Sequence, residues 1–166
     1  MEEKESLYEH SKYEQKWWEF WSQGGWFQAH TKTSKKTYTI LIPPPNVTDR
    51  LHMGHGLNNT IQDILIRWKR MQGYNCLWLP GTDHAGIATQ MMVEKALAKE
   101  GLSRKVLGRE KFFQRCVEWR EKNGGIIIRQ LKKLGASCDW GREAYTMDDQ
   151  LSRAVRRIFV DLFNDG

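Results

Sequence analysis

Cysteine is scarce in this chain, and what there is does not pair: Cys76, Cys116 and Cys138 are three in number and far apart. That count excludes a disulfide framework and a four-cysteine zinc site, and it fits a reducing cytoplasm. Long apolar runs are also missing. No stretch approaches the roughly 18 apolar residues of a membrane span. The acidic start Met1-Glu2-Glu3-Lys4-Glu5 has no apolar core, so a signal peptide is not expected. Proline is rare, with 4 residues in 166, and three of them are consecutive at Pro43-Pro44-Pro45. No internal repeat, low-complexity tract or linker is visible.

The composition is that of an ordinary globule, with 40% apolar and 28% charged residues. At this length the expectation is one domain with a real core. A net charge of +6 is compatible with an anionic partner such as ATP or nucleic acid, and equally with a normally solvated basic surface. Of 8 tryptophans, Trp17, Trp18, Trp21 and Trp26 crowd one short region, a spacing that points to packing on a larger body.

Along the chain, Ser6-Leu7-Tyr8-Glu9 has the spacing of a capping box, and a helix is expected from there to Ser22, stopped by Gly24-Gly25. Tyr38 to Ile42 reads as a buried strand that the prolines must end. Leu57, Ile61, Ile64, Leu65, Trp68 and Met71 recur at helical spacing, predicting a core-facing helix over Met53 to Met71, with Arg67, Lys69 and Arg70 off the stripe. Asn75 to Leu79 reads as a second strand, and Gly86 to Lys99 as a helix with Gly101 past its end. Strand, helix, strand, helix is a βαβ unit, which implies parallel strands. Further on, a helix is expected over Arg109 to Leu134 with a break at Gly124-Gly125. A strongly amphipathic one follows, carrying Leu151, Val155, Ile158, Phe159, Leu162 and Phe163 and capped by Thr146 or Asp148. Ala136 to Trp140 is a candidate third strand. A doubly wound sheet needs more strands than this, so the chain is expected to be part of a longer protein.

In an open parallel sheet, ligands bind at the carboxyl ends of the strands. The first strand delivers Pro43-Pro44-Pro45-Asn46-Val47-Thr48 and then His52-Met53-Gly54-His55; the second delivers Gly81-Thr82-Asp83-His84. The two loops are expected to face one crevice. His52 and His55 stand where a helix opens, with free backbone N–H groups and a favourable dipole for phosphate, and Gly54 permits close approach. The chemistry suggested is phosphoryl or nucleotidyl transfer. Asp83 suits a substrate ammonium, with the cap of the following helix as the alternative role. The prolines form a stiff apolar wall, and Asn46 offers a donor and an acceptor. Zinc on His52, His55 and Asp83 or His84 is the competing idea, but an i, i+3 pair turns its rings about 300° apart around a helix. No metal ligand is assigned.

These residues carry a resemblance. His52-Met53-Gly54-His55 resembles the HIGH signature of class I aminoacyl-tRNA synthetases. Pro-Pro-Pro-Asn-Val-Thr before it, Gly81 to Gln90 after it and Leu134-Gly135-Ala136-Ser137-Cys138-Asp139-Trp140 further on resemble the valyl-tRNA synthetase family, in order and separation. The resemblance implies a fold: an α/β chain forming the first half of a Rossmann-type (HUP-like) parallel-sheet nucleotide-binding domain with additional helices. Residues 1–36 would be a helical segment packed on the catalytic domain, and 37–166 the incomplete domain itself.

It also implies an activity: ATP-dependent activation of valine to valyl-adenylate and transfer to tRNA(Val), in the cytoplasm, by a protein that is monomeric at full length. Pro43, Pro44 and Asn46 would line the valine and adenylate pocket, Asp83 would hold the ammonium group, and His52, Gly54 and His55 would contact ATP, which brings Mg2+ with it; no tightly bound cofactor is implied. Asp49 stands where the family usually has glycine and Gly56 where alanine is usual; at a left-handed corner the aspartate would cost on the order of 1 kcal/mol. A KMSKS-like lysine loop, the family's second signature, is not among these residues, so these 166 residues alone are expected to be inactive. Two other readings stay open: a stand-alone nucleotide- or tRNA-binding module using Arg67, Arg70, Arg153, Arg156 and Arg157, and a small nucleotidyltransferase.

Overall fold

The computed structural model describes residues 8–48 and 50–166. The capping box beginning at Ser6 and the corner residue Asp49 therefore lie outside the described residues. The first helix, α1 (His10–Gln23), ends at the glycine pair, with Gly25 in the left-handed region at φ 66°. Strands β1 (Thr37–Leu41) and β2 (Asn75–Leu79) pair in parallel, in register from Thr37 against Asn75 to Leu41 against Leu79. Between them runs α2 (Met53–Met71), closed by Gly73 at φ 84°. A second short parallel pair, β3 (Gly81–Thr82) with β4 (Ala144–Tyr145), carries the chain on past Pro80. The remaining helices are α3 (Gly86–Lys99), α4 (Arg104–Lys133) and α5 (Asp149–Asp165). Among the described residues no helix is long and apolar enough to cross a membrane.

The main core lies where β1, β2 and α4 meet: Ile42, Ile66, Trp78, Ile127, Leu131 and Cys138 are nearly or fully buried. A second cluster, Val93, Leu97 and Phe112, joins α3 to α4. Trp18 and Trp21 meet Phe27 with tilted rings, and Trp18 also meets Trp140, so half of the tryptophan group packs. Trp17 and Trp26 remain exposed.

Three expectations need correction, and one open alternative is resolved. The apolar stripe of α2 does not face the core: Leu57, Ile64 and Met71 are 65%, 61% and 80% exposed. The helix instead turns in Asn59, Asp63, Ile66 and Arg70. Asp63 accepts from the backbone N and Oγ of Ser137, Arg67 Nε donates to Asp63 at 2.6 Å, and Arg70 donates to the Oγ and carbonyl of Ser137 and to the carbonyl of Phe27. A charged face can be buried when each of its charges is paired in this way. Second, the segment from Ala136 is buried but is no strand; Asp139 N donates to the Trp78 carbonyl and no ladder follows. Third, α4 runs unbroken through Gly124-Gly125. Two glycines cost about 1 kcal/mol each in a helix, and burial of Ile127, Ile128 and Leu131 one turn on offsets that. The interruption falls at Gly108 instead (φ 75°, ψ 170°), so the second stretch begins at Arg109, as the pattern indicated. Of the two caps expected for α5, Asp148 is the one used, its Oδ1 accepting from Leu151 N at 2.8 Å. Thr146 is used elsewhere.

Candidate active site

The proline corner ends β1 without ending the alignment of its strand with the neighbour. Asp83 N donates to the Pro45 carbonyl at 2.8 Å and Val47 N donates to the Asp83 carbonyl at 3.0 Å, an isolated parallel bridge between Asn46 and Asp83. The two loops read from the sequence as facing one crevice are thus bonded to each other. Behind them stands α4. Trp119 Nε1 donates to the carbonyl of the fully buried Val47 at 3.2 Å, and Gln130 Oε1 accepts from Leu51 N at 3.0 Å. Neither support was read from the sequence: both connect positions more than 70 apart, at 72 and 79 residues, and a lone tryptophan or glutamine in a helix carries no local signal.

His52 is the N-cap of α2, in extended conformation. Its Nδ1 accepts from Gly54 N at 3.1 Å, and His55 Nδ1 accepts from His52 N at 3.2 Å. Each ring therefore uses Nδ1 as an acceptor, which in the neutral imidazole leaves the proton on Nε2. Burial, and then the charge of His52, pull the His55 pKa below the ordinary imidazole value, so the neutral form is favoured. The rings lie 3.9 Å apart, centroid to centroid. The result is a pair of Nε2–H donors on one helix N-terminus, whose opening N–H groups the two Nδ1 atoms cap.

Pro43, Pro44, Asn46, His52, Gly54 and His55 line one cleft of about 760 Å³. Asn59 lines it as well: its Nδ2 donates to the His55 carbonyl at 2.7 Å, while its buried Oδ1 has no partner among the described residues. An orphaned buried acceptor costs about 1–3 kcal/mol unless something donates to it. Asp83 is not among the lining residues but is tied to the cleft through Pro45 and Val47. It does not cap α3: the cap is Ala85, in a left-handed conformation (φ 52°, ψ 20°) with no side-chain bond. The Asp83 carboxylate instead meets Thr146. A larger cavity of about 960 Å³, lined by His84, Phe112, Cys116 and Tyr145 among others, includes none of the HxGH residues. Among the described residues no three His, Cys, Asp or Glu side chains gather as a metal site.

A parallel α/β unit that opens a helix after one strand end and sets a carboxylate at the next has the layout in which open parallel sheets bind ligands. The chain belongs to the class I tRNA synthetases: residues 16–166 match the family described as "tRNA synthetases class I (I, L, M and V)". Within that family it is similar to valine–tRNA ligases. It is 61% identical over 168 residues to that of Geobacter sulfurreducens, covering 100% of this chain and 19% of the relative. It is 55% identical over 159 residues to that of Thermus thermophilus, covering 96% of this chain and 18% of the relative. Among solved structures, LeuRS of Agrobacterium radiobacter K84, in a ternary complex with tRNA and LeuAMS, superposes with a TM-score of 0.79 at 23% identity, over 96% of this chain and 19% of that one. The fold is thereby the Rossmann-like synthetase fold in part. The chain spans about a fifth of the length of the curated relatives it matches.

Proposed function

We propose that this chain supplies the first half of the catalytic domain of a valine–tRNA ligase. In the first reaction the valine carboxylate attacks the α-phosphate of ATP, forming valyl-adenylate as pyrophosphate leaves. In the second the valyl group passes to a ribose hydroxyl at the 3′ end of tRNA(Val), and AMP leaves. The observation that carries the reading is the hydrogen-bonded Asn46–Asp83 bridge, which joins Asp83 through the backbone to Asn46, a lining residue of the cleft headed by the HxGH helix start. On this reading Pro43 and Pro44 form the apolar wall and Asn46 a polar edge of the valine and adenylate pocket. Asp83 pairs with the substrate ammonium, a charge-assisted contact. The Nε2–H groups of His52 and His55 donate to phosphate oxygens as charge builds there, and Gly54, whose own N–H is held by His52 Nδ1, meets ATP without a side chain in the way. The neutral tautomers support this role, since both donors stay available while both Nδ1 atoms hold the loop. Asn59 Oδ1 is placed to accept from a nucleotide donor. ATP enters as its magnesium complex.

We further propose that residues 8–36, the described part of the expected 1–36 segment, pack on the catalytic unit and that the full-length enzyme is a cytoplasmic monomer. Contacts of Arg67 and Arg70 with Trp21 and Phe27 support the packing. The binding-module reading loses footing on those same arginines, because their guanidinium groups are committed to Asp63, Ser137 and Gly135.

Valine-dependent ATP–pyrophosphate exchange tests the proposal, run on this chain and on the longer ligase that contains it. Exchange is expected from the longer protein only, with threonine about 100-fold poorer than valine, because an apolar pocket rejects an isostere weakly. His55→Ala is expected to lower kcat and leave the valine KM near its original value. Exchange with a different amino acid, or none with any in the longer protein, overturns the assignment.

A further inference from the structure

We propose that Thr146 is a positioning residue for amino-acid binding: its hydroxyl orients the Asp83 carboxylate and at the same time sets the tautomer of His84. The proposal rests on the reading of Asp83 as the ammonium ligand. Thr146 stands just past β4, where its N donates to the Thr82 carbonyl at 3.2 Å and fixes it beside β3. Its Oγ1 lies 2.7 Å from Asp83 Oδ1, 2.9 Å from His84 N and 2.6 Å from His84 Nδ1.

A hydroxyl has one proton to give and two lone pairs to receive, and a carboxylate has none to give. The Thr146 proton therefore goes to Asp83 Oδ1. The His84 backbone N–H takes one lone pair. The remaining lone pair can accept only from a protonated Nδ1, so His84 carries its proton there and, when neutral, keeps Nε2 as an acceptor. Every hydrogen-bonding capacity of the hydroxyl is used, which fixes its rotor. One carboxylate oxygen of Asp83 is thus held in place by a donor. His84, which lines the larger cavity, is held with its acceptor nitrogen free. The direct approach of His84 Nδ1 to Asp83 Oδ1 is longer, at 3.5 Å, so the hydroxyl is the linking group. Serine can reproduce all three contacts, and valine, of nearly the same shape, none.

Two measurements test this. In the full-length ligase, Thr146→Val is expected to raise the valine KM on the order of 10-fold, the worth of one hydrogen bond to a charged group, with the ATP KM within about twofold. Thr146→Ser is expected to restore the valine KM. On the present chain, ring 15N spectra are expected to show His84 protonated on Nδ1, and Thr146→Val to shift the neutral ring toward the Nε2–H form. An unprotonated Nδ1 in the unmodified chain, an unchanged valine KM in Thr146→Val, or equal rises in both KM values overturns the inference. Asp83→Asn separates the two levels. If it leaves the valine KM unchanged, the ammonium reading itself fails. If it raises that KM and Thr146→Val does not, only the role of Thr146 fails.

Discussion

Replacing Trp119 by phenylalanine removes one atom group with a known task. The indole Nε1–H donates to the Val47 carbonyl at 3.2 Å, and Val47 is fully buried. Phenylalanine keeps an aromatic ring in place but leaves that carbonyl without a donor, away from water. An unsatisfied buried acceptor costs about 1–3 kcal/mol, and the smaller ring adds some loss of packing, so about 2 kcal/mol is the expected total. For a domain of this size each kcal/mol lowers the melting temperature by about 2–4 °C, giving a drop of about 4–8 °C. The loss also reaches the site, because the Val47 N–H holds the Asp83 carbonyl and Asp83 N holds Pro45. The matched control is Trp26→Phe, at a tryptophan that is 62% exposed, where a change within about 0.5 kcal/mol is expected. Thermal unfolding of both variants followed by circular dichroism decides the matter. A Trp119→Phe melting temperature equal to that of Trp26→Phe would falsify the view that α4 braces the two strand-end loops through this bond.

Acid should loosen the same region. His55 has a folded pKa below the ordinary value near 6.5, through burial and then the charge of His52. Its contribution to stability is thus fully present above that unfolded value and is lost as the pH falls through it toward the lower folded one. Melting temperatures measured from about pH 7.5 to 5.5 should fall for the native chain and fall less for His55→Gln, which keeps an acceptor without a titration in that range; parallel curves would refute this. The cysteines should differ in reactivity. Burial pushes all three thiols up, but Cys76 and Cys138 are enclosed while Cys116 is half-buried and lines a cavity. Mass spectrometry after brief alkylation of the native chain should find label on Cys116 alone, slowly gained, and on all three after unfolding. Native labelling of Cys76 or Cys138 at the rate of Cys116 would contradict the packing described.

Local order was largely readable from the sequence. The limits of α2, β2 and α3 follow from signals within a few residues of each end: a proline corner, a glycine at positive φ, a run of β-formers. What failed was the assignment of partners. Apolar periodicity reports which face of a helix is apolar, and on α2 that was read correctly; it does not report what covers the face. The segment after Gly135 covers the opposite, charged face instead, through Asp63 and Ser137, 74 residues apart in sequence. Among the described residues the stripe from Leu57 to Met71 and that of α5 both meet solvent.

The same distinction separates the parts of the site that were legible from those that were not. His52, Gly54 and His55 lie within one helical turn, so their geometry is a local property that spacing encodes. Asp83 was legible as a carboxylate at a strand end, yet the side-chain contact it makes in place of capping α3 was not, because it comes from Thr146, 63 residues away. Thr146 itself stood out only as one of two possible caps for α5. Once Asp148 takes that cap, the threonine hydroxyl is released, and the chain spends it on Asp83 and His84. A side chain freed from its expected local duty is therefore the one to examine first when a candidate site lacks an evident means of holding its charged group in place.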